Sequence, residues 1–346
     1  MKKILIIKLR AIGDVVLSTI VLRNLRAAYP DATIDFLTEK FCAGIVKNHP
    51  LLNNVIAFDK KYAFLDDDVN CFKSLTFLNN MRKQNYDLVF DFFGNPRSAL
   101  ITFFSNARHR VGYDFRMRKW TYNHTIVSRA DQIHEAEWHL DALKEMNIPI
   151  VSKNLSVAVT ERDHRFADDF WQRYQAGQKK VIALNFSGGW PSKRWPLNRF
   201  MVLARRLVEK HACEILIVWG PGEKKEAQLL QDQISVGTTI LPETNLKELA
   251  AILSRADLMI TTDSGPMHIA AAMQTPCVAL FGPTNPHLQG PYGKNHKIIV
   301  ARGLPCLRCN RLTCDHNSCM KLISVDDVLN AATSVLMSDK REQDTE

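Results

Sequence analysis

Four short loops carry residue types able to grip an anion. In TTDSGPMHIAAA (261–272), an apolar strand runs into Asp263, Ser264 and Gly265, and an Ala-rich helix follows. Such a turn can cap the helix, because Asp and Ser side chains accept from its free N–H groups. It can equally seat an anion, because a helix N-terminus presents unpaired donors and a partial positive charge. Three other loops follow strands in the same way: RAIGD (10–14), SGGWPSKRWP (187–196) and GPGE (220–223). Small residues, hydroxyls and the cations Lys193 and Arg194 together suit a nucleotide diphosphate. The first strand is not followed by G-x-G-x-x-G, which argues against a nicotinamide dehydrogenase. The chain also lacks G-x-x-x-x-G-K-[ST], the phosphate loop of P-loop enzymes.

Those loops need elements to hold them. KILIIK (3–8), TIDFLT (33–38), NVIAFD (54–59) and YDLVFDF (86–92) read as short, largely buried strands. VVLSTIVLRNLRAAYP between the first two has helical spacing and stops at Pro30, and HEAEWHLDALKEM (134–146) is a further helix. After the polar stretch around Pro149 the plan repeats, with strands KVIALNF (180–186), CEILIVWG (213–220), DLMIT (257–261) and PCVALFG (276–282). This predicts an α/β chain of two Rossmann-like domains facing a central cleft, at 1–150 and 151–323. The helix SVDDVLNAATSVLM and tail (324–346) are expected to return toward the first domain. Ligands of such sheets gather outside the carboxyl ends of the strands, where all four loops lie.

The totals agree with a soluble globular protein. The 346 residues are 46% hydrophobic and 23% charged, with 45 Lys+Arg against 36 Asp+Glu, a net charge of +9 that favours an acidic partner. Lys8, Arg10 and Asp14 interrupt the first apolar run, so it reads as strand and helix and not as an export signal. No stretch approaches the ~20 apolar residues of a membrane span. A cytoplasmic setting is expected, with its eight cysteines mostly reduced.

The blocks ILIIKLRAIGDVVLSTIVLRNLRAAYP, KRWP, VWGPGEKKEA and TTDSGPMHIAAAMQTPCVALFGPTNP together resemble the lipopolysaccharide heptosyltransferases, glycosyltransferase family nine. The resemblance spans nearly the whole chain. It implies a GT-B architecture, an ADP-heptose donor, and inversion at the anomeric carbon with neither metal nor cofactor. It also implies an acceptor in the lipopolysaccharide inner core (Kdo-lipid A or a heptosylated core), with peripheral contact at the cytoplasmic face of the inner membrane. By position, Asp14 matches the general base, in a place where the bare alternative is a helix cap. Lys193 matches the lysine beside the donor diphosphate, with Arg194 next to it. Ser187, Gly188 and Gly189 fall in the phosphate-contacting loop, and Glu223 matches the carboxylate that holds ribose. Gly13, Thr262, Asp263, Ser264, Gly265 and His268 complete the donor pocket. With a diphosphate-sugar expected, the Asp-Ser-Gly turn is read as a donor site more than as a bare cap.

ARHRVGYDFRMRKW (107–120) sets five cations against Asp114, and Arg116, Arg118 and Lys119 are the candidate acceptor contacts. A solvated basic face is the alternative. CLRCNRLTCDHNSC places Cys306, Cys309, Cys314 and Cys319 in one segment, but only four residues separate the inner pair, against ~12–20 in zinc sites. No metal is assigned there, with a structural zinc or iron–sulfur site as the alternative. Cys42, Cys71, Cys213 and Cys277 are read as packing residues. Competing functions are a transferase with another sugar or core acceptor, and a nucleotide-sugar epimerase. A nucleic-acid-binding protein would need interleaved aromatics and a recognisable module, which are missing.

Overall fold

The structure, a computed structural model, describes residues 2–59, 71–114, 119–127, 129, 132–174, 177, 179–235 and 237–343. The chain divides into two compact units, Met1–Ala158 and Val159–Glu346. The sequence reading sets the boundary at 150; the structure leaves 151–158 with the first unit. Val151 N and Ser152 N donate to Asn24 Oδ1 at 2.7 and 2.9 Å, and Ser156 N donates to Thr19 Oγ1 at 2.9 Å. Without that segment the buried Asn24 Oδ1 would lose both of these donors.

The first unit holds strands β1 (Lys3–Ile7), β2 (Thr33–Glu39), β3 (Asn54–Phe58), β4 (Leu88–Asp91), β5 (His109–Tyr113) and β6 (His124–Ile126). They form one parallel sheet in the order β3-β2-β1-β4-β5-β6. The second unit holds β7 (Val181–Asn185), β8 (Glu214–Val218), β9 (Thr238–Ile240), β10 (Leu258–Thr262), β11 (Cys277–Phe281) and β12 (Lys297–Val300). Their order, β12-β11-β10-β7-β8-β9, is the same winding read from the other edge. Both units are therefore Rossmann-like α/β sheets, the fold class of GT-B enzymes. The order reverses between β1 and β4 in one and between β7 and β10 in the other, and loops leaving those strands line a natural ligand crevice. Central strands such as β7, β10 and β11 are buried along their whole length, which is why they read as continuous apolar runs.

Three features depart from the sequence reading. β5, β6, β9 and β12 were not predicted; three of them are edge strands of three or four residues, too short to show a period. The first helix breaks at Thr19 into Ile12–Ser18 and Ile20–Ala28, since Ser18 and Thr19 hydroxyls donate to Val15 O and Val16 O. The last helix, Val325–Gln343, sends Val328, Leu329, Ala332, Val335 and Leu336 into the core of the second unit. Its apolar face is used there, beside Leu203 and Leu207 of the helix Leu197–His211. No helix among the described residues is long and apolar enough to cross a membrane.

Candidate active site

In the first unit the buried strand β1 delivers its chain end to the carboxyl edge, where the helix Ile12–Ser18 begins. Asp14 is the third residue of that helix and not its N-cap. Its Oδ2 accepts from Ala11 N at 3.0 Å, closing the reciprocal half of a capping arrangement. Gly13 is buried beside it. The Asp14 side chain keeps 33% of its surface exposed, so it caps and still faces solvent.

Beneath Asp14 lies a network that the sequence reading missed. Lys8 Nζ sits 4.0 Å from Asp14 Oδ2, 2.6 Å from Glu135 Oε1 and 3.1 Å from the Phe92 carbonyl. Glu135 Oε1 is also 3.6 Å from His139 Nε2, and His139 Nδ1 lies 3.0 Å from the Tyr113 hydroxyl. Burial would lower the Lys8 pKa, but Glu135 first, then Asp14, outweigh it and the ammonium is held above its usual value. Burial likewise opposes ionisation of Glu135, and Lys8 with His139 overturns it, so the carboxyl is held well below its usual range. Burial lowers His139 to about 4. Asp91, at the end of β4, accepts from Phe93 N, Gly94 N and Tyr122 Oη at 3.0, 2.9 and 2.7 Å, yet burial still raises its pKa. The only trace of this network in the sequence is Lys8 itself, an interruption in an apolar run.

In the second unit the loops after β7 and β10 flank the reversal point and are laced together. Asn185 Nδ2 donates to Thr261 Oγ1 and to Ser264 Oγ, each at 2.9 Å, while Ser187 Oγ donates to Asn185 Oδ1 at 2.7 Å. Thr262 Oγ1 donates to Ser187 O across the same gap. Ser264 is the N-cap of the helix Gly265–Ala272, but its side chain makes no cap bond; it donates instead to Thr262 O at 3.2 Å. The turn is therefore not a side-chain cap. The helix N-terminus it opens retains the character of an anion seat. His268 is buried in that helix.

Lys193 Nζ lies 2.7 Å from Asp263 Oδ2, and Thr284 Oγ1 donates to the same oxygen at 2.6 Å. The Lys193 ammonium also sits 4.1 Å from the Trp190 ring centroid. It is no solvated loop lysine. A Cβ on Gly188 would make ordinary contact, 3.4 Å, with Lys193, Arg194 and Thr262, whereas one on Gly189 would meet open space. Arg194 NH2 donates to Glu223 Oε1 at 3.0 Å, and Gly220 N donates to Glu223 Oε2 at 2.9 Å. Gly222 turns this loop at φ +87°, a conformation that favours glycine. The Glu223 side chain is 13% exposed, so it is a fixed carboxylate and not a free first-turn glutamate. Asn185 and Thr284 are hydrogen-bond partners within this candidate site that sequence alone did not suggest.

Arg116 and Arg118 lie outside the described residues, as does the Lys119 side chain. Of the other cations in that stretch, Arg110 donates through Nε to Thr121 O and through NH1 to Ala107 O, both at 2.9 Å, which ties β5 to its flanks. In the cysteine segment, Cys306 and Cys309 are exposed, Cys314 is half-buried and Cys319 is buried. Cys319 Sγ would stand 2.7 Å from a Cβ on Gly282, so it packs into the core there. No group of three or more His, Cys, Asp or Glu among the described residues is arranged to hold a metal ion. Cys42, Cys213 and Cys277 are buried, as packing residues should be; the Cys71 side chain lies outside the described set.

Residues 75–319 match the family model for glycosyltransferase family 9 (heptosyltransferase). Lipopolysaccharide heptosyltransferase 1 of Campylobacter coli is 28% identical, over 94% of this chain and 97% of its own. A glycosyltransferase family 9 structure from Veillonella parvula superposes with a TM-score of 0.82 at 22% identity, covering 97% of both chains. The E. coli heptosyltransferase WaaC with ADP gives a TM-score of 0.72 at 24% identity, covering 96% of this chain and 99% of its own.

Proposed function

The chain belongs to glycosyltransferase family 9, the heptosyltransferases, and from that premise we propose that it moves L-glycero-D-manno-heptose from ADP-heptose to the inner core of lipopolysaccharide. The observation that carries this reading is the second unit's reversal point. There Lys193 and Asp263 pair at 2.7 Å, between two loops laced by Asn185, Ser187 and Thr262. A diphosphate is what that combination of ammonium, hydroxyls, glycine backbone and helix N-terminus suits best.

In this mechanism an acceptor hydroxyl attacks the anomeric carbon of the donor while the bond to the ADP oxygen breaks, inverting the centre. The hydroxyl proton goes to Asp14, and the electron pair of the broken bond goes to the leaving diphosphate. Such a base contributes about 10²–10⁴-fold. Lys193 stabilises the charge that develops on the diphosphate, the role a divalent cation takes in other transferases. Ser187, Gly188, Gly189 and the turn Thr262–Gly265 surround the phosphates, and Gly13 and His268 are further donor contacts. Glu223, held by Arg194 and Gly220, keeps lone pairs for ribose hydroxyls. Arg116, Arg118 and Lys119 meet the acidic inner core. The reaction uses no cofactor, and the enzyme works at the cytoplasmic face of the inner membrane, where a net charge of +9 suits anionic lipid.

Incubation with ADP-heptose and a panel of truncated lipopolysaccharides tests the reading, with calorimetry against ADP, UDP and GDP for the base. Transfer to one core acceptor and preference for ADP are expected. A tenfold preference for UDP overturns the donor assignment.

A further inference from the structure

Lys8 stands out as a buried lysine whose neighbours are arranged around it and not around a ligand. Its side chain is 5% exposed, and Glu135, which grips it at 2.6 Å, is 9% exposed. Burying this pair is costly, and such pairs are weak as sources of stability, since apolar residues of similar volume often serve as well. The pair spans 127 residues of sequence and lies directly under Asp14. At 4.0 Å, Lys8 Nζ is too far from Asp14 Oδ2 for a hydrogen bond but close enough for its charge to act.

We propose that Lys8 is a positioning residue for Asp14: held by Glu135 and the Phe92 carbonyl, its ammonium keeps the Asp14 carboxylate ionised and ready for the acceptor proton. The inference deepens the proposed function and rests on Asp14 being the base. The ammonium does not itself give up a proton. The acceptor hydroxyl loses its proton to Asp14 as the new C–O bond forms and the diphosphate leaves with the old bond's electrons.

Among the described residues, the charged and titratable groups around Lys8 fit one arrangement. From the helix Ile12–Ser18 comes Asp14, and from the end of β4 come Asp91, the Phe92 carbonyl and the Phe93 ring, 5.9 Å away. From the helix Glu135–Glu145 come Glu135 and His139, with Tyr113 of β5 behind His139. Glu135 is the anion that keeps Lys8 charged against burial, and His139, neutral at pH 7, adds no competing charge. Asp91 is tied to Phe93 N, Gly94 N and Tyr122 Oη, which leaves Asp14 as the carboxylate near Lys8 that is open to solvent. Among the described residues, Asp14 is the exposed anion on which the lysine can act.

The test is the pH profile of kcat in the full-length enzyme with ADP-heptose and lipopolysaccharide acceptor. Lys8→Met alone would strand Glu135, so Lys8→Met/Glu135→Gln is the principal variant, checked for folding by thermal melting. Its acidic limb is expected to rise by about one pH unit, with donor KM within about twofold of the parent, and Lys8→Arg is expected to restore the limb. Lys8→Gln alone is a second neutral replacement whose amide can still donate to Glu135, so its acidic limb should rise in the same direction. An acidic limb unmoved in the double variant overturns the proposal; if that variant does not fold, an acidic limb unmoved in Lys8→Gln does so. Asp14→Asn separates the two layers. If it keeps more than about a tenth of kcat, the base reading fails; if it is inactive while the limbs stay put, only the role of Lys8 fails.

Discussion

Replacing Lys193 by Met removes the cation from the pair with Asp263 while keeping most of the side chain's volume. The two side chains are 14% and 7% exposed and their charges lie 2.7 Å apart. At an effective dielectric constant of about 20, that separation gives an attraction of about 6 kcal/mol before desolvation is subtracted. What remains after the substitution is a buried carboxylate with the Thr284 hydroxyl at 2.6 Å as its named donor. Breaking a buried pair from one side costs about 3–5 kcal/mol, so Lys193→Met should destabilise the second unit by about 3 kcal/mol. Adding Asp263→Asn removes the stranded charge, and the double variant should recover most of that loss. Denaturant unfolding of the four proteins gives the coupling, expected at about 2 kcal/mol or more.

Calorimetry with ADP on the same proteins separates stability from binding. A lost charge-assisted contact to phosphate is worth about 1.5–3 kcal/mol, or roughly tenfold to a hundredfold in Kd. Lys193→Met and the double variant should both show it, whereas Asp263→Asn alone should keep ADP affinity because its ammonium remains. Additive unfolding energies would refute the buried-pair argument. Unchanged ADP affinity in Lys193→Met would refute the placement of the diphosphate.

Three other outcomes are expected. Replacing Arg116, Arg118 and Lys119 together by Ala should raise KM for lipopolysaccharide and not for ADP-heptose, and added salt should mimic it; an unchanged acceptor KM at low salt marks a solvated basic face. Transfer should survive EDTA, since Lys193 supplies the positive charge at the diphosphate; loss restored by magnesium or manganese overturns this. Acid should weaken the first unit. Burial holds His139 at about 4 when folded, against about 6.5 in an unfolded chain, so its contribution is complete above pH 6.5 and lost as pH falls toward 4. The window is worth about 3 kcal/mol, and Glu135, held below its usual range, adds acid sensitivity lower still. A melting temperature measured from pH 7 to 4 should fall in the parent and fall less in His139→Gln; equal slopes refute the assignment.

The sequence by itself determined the α/β plan and set the four candidate loops at the ends of strands, because both are written locally. A strand buried on both faces must be an apolar run, as in VIALN and CVALF. A loop that approaches an anion must carry glycine, hydroxyl or cation, as SGGWPSKRWP and DSG do. Even so, the segment SGGWPSKRWP alone does not reveal that Lys193 faces Asp263, 70 residues later, and not water. Edge strands such as Thr238–Ile240 were illegible because three residues show no period, and the buried face of the last helix because amphipathicity names no partner. The hubs were decided only by tertiary structure. Sheet order sets β1 beside β4 and β7 beside β10, and that adjacency brings Asn185 to Ser264 and Phe92 to Lys8. The buried partner of Lys8 arrives from a helix 127 residues away. Burial and turn chemistry act between neighbours in the chain, whereas an ion pair in a sheet's crevice depends on which strands end side by side.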